Sequence, residues 1–161
     1  RDLKERFGDQ IVLKNGKAVW RSQFVRDCIE DGYGEQGRLM KLGAVTNNAL
    51  NKVPDELKHV LFGSKGERMG LTITKELATH IKDHQHYKED PRPTNMPLMP
   101  KDLDLMPTLW RNPDRVVKDE EHPESPVFEL DTADGGVLRL PIISIGNSIT
   151  TGTLYKKKQL R

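Results

Sequence analysis

The sequence predicts an α+β domain in which N-terminal helices pack on a twisted antiparallel β-meander. Three observations predict it. The last third holds β-branched and aliphatic runs at 126–131, 137–145 and 148–155, separated by the turn signals Asp134–Gly135 and Gly146–Asn147. The middle holds short segments that open on helix-start residues, Thr46, Pro54 and Thr74. The order of elements is helices, one strand, two further helices, then strands in succession.

Taken in order, residues 2–7 suit a helical turn. Residues 11–20 read as a hairpin, because Asn15–Gly16 suits a type I′ turn between two apolar runs. Ser22 caps a predicted helix through about Glu30, with Phe24, Val25, Cys28 and Ile29 at helical spacing. The glycine-rich stretch 32–37 lacks a preceding strand and phosphate-loop spacing, so it reads as a loop. Residues 1–36 are therefore expected to form an extension or small subdomain, and residues 37–161 the main domain. Leu39–Gly43 leads into a short helix over 46–52, and a second helix starts at Pro54 and runs to Phe62. Arg68–Ile73 reads as a strand. Thr74 caps a helix carrying His80 and His84, with Leu77, Ala78 and Ile81 facing the core.

The proline-rich connector 89–101 cannot be regular helix or central strand. Asp102 is expected to cap a helix over 103–110, which Pro107 interrupts unless a second piece begins there. Residues 113–117 enter a strand, followed by strands 126–131, 137–145 and 148–155. Pro141 implies a bulge or an edge. Strict alternation would put Thr151, Thr153 and Tyr155 on one side of the last strand, with Thr150 and Leu154 on the other.

With 161 residues, 35% apolar and 31% charged, the chain has a modest core and a polar surface. No apolar run approaches the roughly 20 residues that span a bilayer. The chain opens on Arg1 without an initiator Met or a signal-like segment, which reads as a fragment of a longer protein. The one cysteine, Cys28, excludes an internal disulfide framework and a Cys-based zinc site, and reads as a small core residue. The net charge of +2 is unevenly spread. Residues 101–134 hold ten acids and four bases; residues 135–161 hold five bases and no acid. The basic C-terminal end suits a phosphate-bearing partner, or Lys156–Lys158 form a solvated tail.

The histidines carry the densest chemistry. His80 and His84, four residues apart, project from one helical face, and His86 follows. A helical His-x-x-x-His can hold zinc, but Ile81 stands where a zinc protease carries Glu, and Asp83, His86 and His122 are third ligands by residue type alone. The histidines also suit a structural role at a core edge. Alternatively they suit acid–base cleavage of RNA, which needs a base for the 2′-OH, an acid for the leaving 5′-oxygen, and donors on the phosphate. Ser148, Thr150, Thr151, Thr153, Tyr155 and Lys156 supply hydroxyls and a cation on the last strand.

Four segments, in order, resemble a known superfamily. They are Leu42–Leu50, the helix ending at His80 and His84, Leu109–Val117, and the closing meander through Thr153, Tyr155 and Lys156. Together they are similar to the phage-associated and polymorphic-toxin nucleases of the barnase–EndoU–colicin–RelE-like (BECR) superfamily, over about residues 40–156. The resemblance implies a BECR-like RNase fold and a metal-independent endoribonuclease toxin without cofactor. Its substrate would be RNA, with tRNA favoured, and its product a 2′,3′-cyclic phosphate. It implies His80, His84, Thr153 and Tyr155 as catalytic residues, and Thr151, Lys156, Arg139 and Lys82 as substrate contacts. It further implies delivery into a target-cell cytoplasm as part of a larger secreted protein, a cognate immunity protein, a host protein factor in some members, and no membrane partner. One departure from the pattern is Asp83 before the second histidine, where a basic residue is usual. The alternative is a non-catalytic binding or adaptor module that keeps the fold.

Overall fold

A computed structural model describes residues 11–15, 17–20, 40–73, 95–96, 102, 104–152 and 154–159. The predicted helix over 22–30, the glycine-rich stretch 32–37 and the histidine helix lie outside the described residues, as do Lys82 and Thr153.

The hairpin forms as expected. Strand β1 (Ile11–Lys14) pairs antiparallel with β2 (Lys17–Trp20) in a sheet of their own. Asn15 takes a positive φ of 53°, which a type I′ turn requires and Asn tolerates.

A second small sheet joins β3 (Met40–Ala44) to β4 (Gly70–Ile73). Residues 40–43, expected as a lead-in to a helix, belong to this strand, whose register shifts between Lys41 and Gly43. Gly43 sits at that bulge with φ 91°, a conformation other residues avoid. Between β3 and β4 run helix α1 (Asn47–Leu50), with the Thr46 hydroxyl accepting from the Ala49 N–H at 3.1 Å, and a 3₁₀ helix over Asp55–Leu61.

The main sheet is antiparallel, in the order β5 (Asn95–Met96), β10 (Tyr155–Lys158), β8 (Gly136–Ile145), β7 (Pro126–Asp131), β6 (Arg115–Lys118), with β9 (Ser148–Thr151) also paired to β8. The proline-rich connector thus contributes a two-residue edge strand, a position that tolerates neighbouring prolines. Helices and an antiparallel sheet in these segments make the described domain α+β.

Helix α2 (Met106–Arg111) seals the core. It begins at Met106, so Asp102 does not cap it; Pro107 falls in its first turn, where its missing N–H costs nothing. Met106, Leu109 and Trp110 are fully buried against Phe128, Leu130, Leu138 and Leu140, and Trp110 stacks on Phe128 at 5.0 Å between ring centroids. Trp110 Nε1–H donates to Gly43 O at 3.0 Å, tying this layer to the small sheet. Leu42, Ala49, Leu57, Leu61 and Leu71 complete the same cluster.

The start of α1 and Lys52, just past its end, meet the end of α2 here. The Thr46 hydroxyl donates to Arg111 O at 2.6 Å, Asn48 Nδ2 to Asn112 Oδ1 at 2.8 Å, and Lys52 Nζ to Pro113 O at 2.5 Å. Their side chains form a joint between α1 and the end of α2.

A bulge decides the sheet's chemistry. On β8, Ile142 pairs with Thr151 and Arg139 with Tyr155, so three steps on β8 match four on the other strand. The slip lies between Pro141 and Arg139: Pro141, which has no N–H to pair, still accepts from Gly152 N–H at 2.8 Å in the Ile142–Thr151 register, and the pairing has shifted by Arg139. Pro141 had implied a bulge or an edge, and the bulge is present. It breaks the predicted alternation: Thr151 lies on the core face with Ile142, whereas Tyr155 lies on the opposite face with Arg139. Thr150, opposite Ile143, is the threonine on Tyr155's face.

A candidate active site on the second sheet face

Alternation along the strands sorts the side chains. Phe128, Leu130, Leu138, Leu140 and Ile142 face the core. The residues between them face the other way, and four stand directly opposite one another across four strands. Arg115 pairs with Glu129, Glu129 with Arg139, and Arg139 with Tyr155. Cross-strand partners on one face are within side-chain reach, and here they form a continuous polar row.

The row is closely bonded. Arg139 Nε donates to Glu129 Oε2 at 2.7 Å, and its Nη1 donates to the Tyr155 oxygen at 2.5 Å. Arg115 Nη1 donates to Glu129 Oε1 at 3.2 Å, while its Nη2 reaches both Asp131 oxygens at 2.6 Å. The Arg139 guanidinium lies 5.5 Å from the Tyr155 ring centroid, and Lys157 Nζ lies 5.9 Å from it. Val127 and Val137 flank the row on the same face, buried but outside the main core cluster.

The row's ends differ in exposure. The Arg139 side chain is 9% exposed and Arg115 37%. Burial pushes the Tyr155 phenol above its ordinary value, against the pull of Arg139, so it keeps its proton at neutral pH. A guanidinium can only donate, so the phenol oxygen accepts from Arg139 and its O–H is not used in that bond. The row therefore supplies a carboxylate, two guanidiniums and a phenolic proton.

Lys156 lies on the other face. Its side chain is fully buried, and Nζ donates to Asp102 Oδ2 at 2.8 Å and Asp134 Oδ2 at 2.6 Å. It is neither part of a solvated tail nor presented to a ligand. Burial opposes the ammonium, but the two carboxylates outweigh that, and its pKa is raised above the ordinary lysine value. Hydrogen bonds from Lys156 and then Thr132 hold Asp134 down to about 2. Gly136 makes room: a Cβ there would meet Lys156 Cε at 2.6 Å.

Of the residues named from sequence, Arg139 and Tyr155 come together. Lys156 and Thr151 fall on the opposite face of the sheet, Lys156 because successive strand residues alternate and Thr151 because of the bulge at Pro141. His80, His84, Lys82 and Thr153 lie outside the described residues. Glu129, Arg115 and Asp131 were missed. Their available signal was a charged residue inside an apolar strand, Glu129 between Phe128 and Leu130 and Arg139 between Leu138 and Leu140. Among the described residues no group of three or more His, Cys, Asp or Glu is arranged to hold a metal, and no helix is long and apolar enough to cross a membrane. Comparison with protein-family models, curated proteins and solved structures gives no match.

Proposed function

We propose that the chain is an endoribonuclease that works without metal, with the Arg115–Glu129–Arg139–Tyr155 row as the surface that engages the scissile phosphate. The observation that carries this reading is the in-register juxtaposition of a carboxylate, two guanidiniums and a protonated phenol on one sheet face. Those groups match the needs of 2′-OH transesterification. Glu129 takes the proton from the 2′-OH, and the 2′-oxygen bonds to phosphorus. Arg115, Arg139 and the Tyr155 O–H stabilise the added negative charge. The P–O5′ bond breaks, and the 5′-oxygen takes a proton from an acid, leaving a 2′,3′-cyclic phosphate and a 5′-hydroxyl. His80 and His84 are the sequence's candidates for that acid, with Tyr155 at the end of the row as another.

The same proposal extends to the family reading. It takes in a BECR-like nuclease fold, a toxin role, tRNA as the favoured substrate, and delivery within a larger protein to act in a target-cell cytoplasm. It also takes in a neutralising immunity protein and a host protein factor. The order of the four sequence segments supports it.

One observation favours a second reading, a binding module without catalysis: both Glu129 oxygens already accept from arginines. Incubating the protein with total tRNA in EDTA separates the two. Cleavage to 2′,3′-cyclic phosphate ends, reduced about 100-fold or more in Glu129→Gln as expected for loss of a general base, supports the enzyme. Intact RNA bound by the wild-type protein supports the module.

A further inference from the structure

The two Glu129 oxygens are held unequally. Arg139 Nε bonds Oε2 at 2.7 Å, and its Nη1 is taken up by Tyr155. Arg115 reaches Oε1 through Nη1 alone, at 3.2 Å. The reason lies two residues further along the same strand. Asp131 takes both terminal nitrogens of Arg115, with Nη2 2.6 Å from each carboxylate oxygen and Nη1 3.0 Å from Oδ1. The backbone N–H of Asp131 donates in turn to Asp114 Oδ2 at 2.8 Å, which fixes that end of the strand. A guanidinium fork favours a two-point grip on one carboxylate, and it meets two here.

From this geometry we infer that Asp131 is a positioning residue that holds Arg115 back and leaves Glu129 Oε1 as the proton-accepting atom of the site. The inference rests on the nuclease reading above. The charged groups facing Glu129 among the described residues are Arg115 from β6, Asp131 on its own strand and Arg139 from β8, with Tyr155 and Lys157 beyond it on β10. Removing Asp131 takes away the competitor for Arg115. The Arg115 fork then closes on Glu129, and its single 3.2 Å bond to Oε1 becomes a two-point grip that competes with a 2′-OH for that oxygen. The defect is therefore caused by Arg115, and deleting Arg115 as well removes it.

The test is steady-state cleavage of a fluorophore-quenched oligoribonucleotide carrying all four bases, in EDTA, with thermal unfolding of each variant as a folding control. Asp131→Ala is expected to lower kcat about ten- to hundredfold, the scale of one hydrogen bond to a charged group. Its KM should stay within about twofold, because the loss falls on the chemical step. The Arg115→Ala/Asp131→Ala double variant should be no slower than Arg115→Ala alone. Asp131→Asn preserves side-chain volume and one acceptor, and gives a smaller fall in kcat if the alanine variant does not fold. Losses that multiply in the double variant, or a change confined to KM, overturn the role of Asp131 and leave the nuclease standing. Cleavage by the wild-type protein no faster than by Glu129→Gln removes Glu129 as the base, and this inference with it; no cleavage by the wild-type protein overturns the nuclease reading itself.

Discussion

Tyr155 and Lys156 are neighbours in the chain, yet they belong to two ion networks on opposite faces of one sheet. Lys156 sits in a group centred on a buried pair: the lysine and Asp102 are no more than 1% exposed, and Asp134 closes the group from the surface at 32%. Tyr155 ends an open row whose far member, Arg115, is 37% exposed. The closed group joins distant parts of the chain, since Asp102 follows the connector and Asp134 lies in the β7–β8 turn. The open row joins adjacent strands only. Charge that is buried and fully paired fastens a fold, whereas charge that is paired but partly open can exchange partners with a ligand.

The largest test of that contrast is Lys156→Ala. Removing the ammonium takes the lysine from Asp102, whose side chain is 1% exposed, and breaking a buried pair from one side costs about 3–5 kcal/mol. Urea unfolding should show a loss of that size. A loss under 1 kcal/mol would mean that Asp102 and Asp134 are satisfied without the lysine.

Arg115→Ala is the matching test on the other face. Arg115 and its two-point partner Asp131 are 37% and 35% exposed, so exposed-pair energetics apply and stability should fall by no more than about 1 kcal/mol. The same urea experiment checks it. A loss as large as that for Lys156→Ala would make the row a second fastening and erase the distinction between the faces.

How much of this was legible in the sequence follows from what each feature depends on. The strands at 126–131 and 136–145 and the hairpin over 11–20 carried their own period and turn residues, and local signals located them. Strand β3 was missed because it is short, and its identity depends on pairing with β4 across a bulge. Arg139 was named only as a substrate contact that the resemblance implies. Glu129 and Arg115 could be joined to it only through register, which depends on two turns and the pairing of three strands. Lys156 was misplaced because a run of three lysines looks solvated, and only Asp102 and Asp134, distant in the chain, show that the first one turns inward. Thr151 was misplaced by one residue of bulge, since a slip of one moves a side chain to the other face.

The smallest effect concerns acid. Asp134 is held at about 2, below its ordinary 3.8, first by the hydrogen bond from Lys156 and then by that from Thr132. A carboxylate with a depressed native pKa contributes stability that is complete above its unfolded value and is lost as pH falls through the native one. The window is therefore between about pH 4 and pH 2. Other carboxylates also titrate there, so the contribution is read as a difference between two proteins. Asp134→Asn should be less stable than wild type at pH 6, and the gap should narrow as pH approaches 2, because the protonated wild-type side chain then also lacks its charge. Urea midpoints measured at pH 6, 4, 3 and 2.5 trace that gap. If it stays constant, the Asp134 charge adds nothing to the group, and Lys156 is held by Asp102 alone.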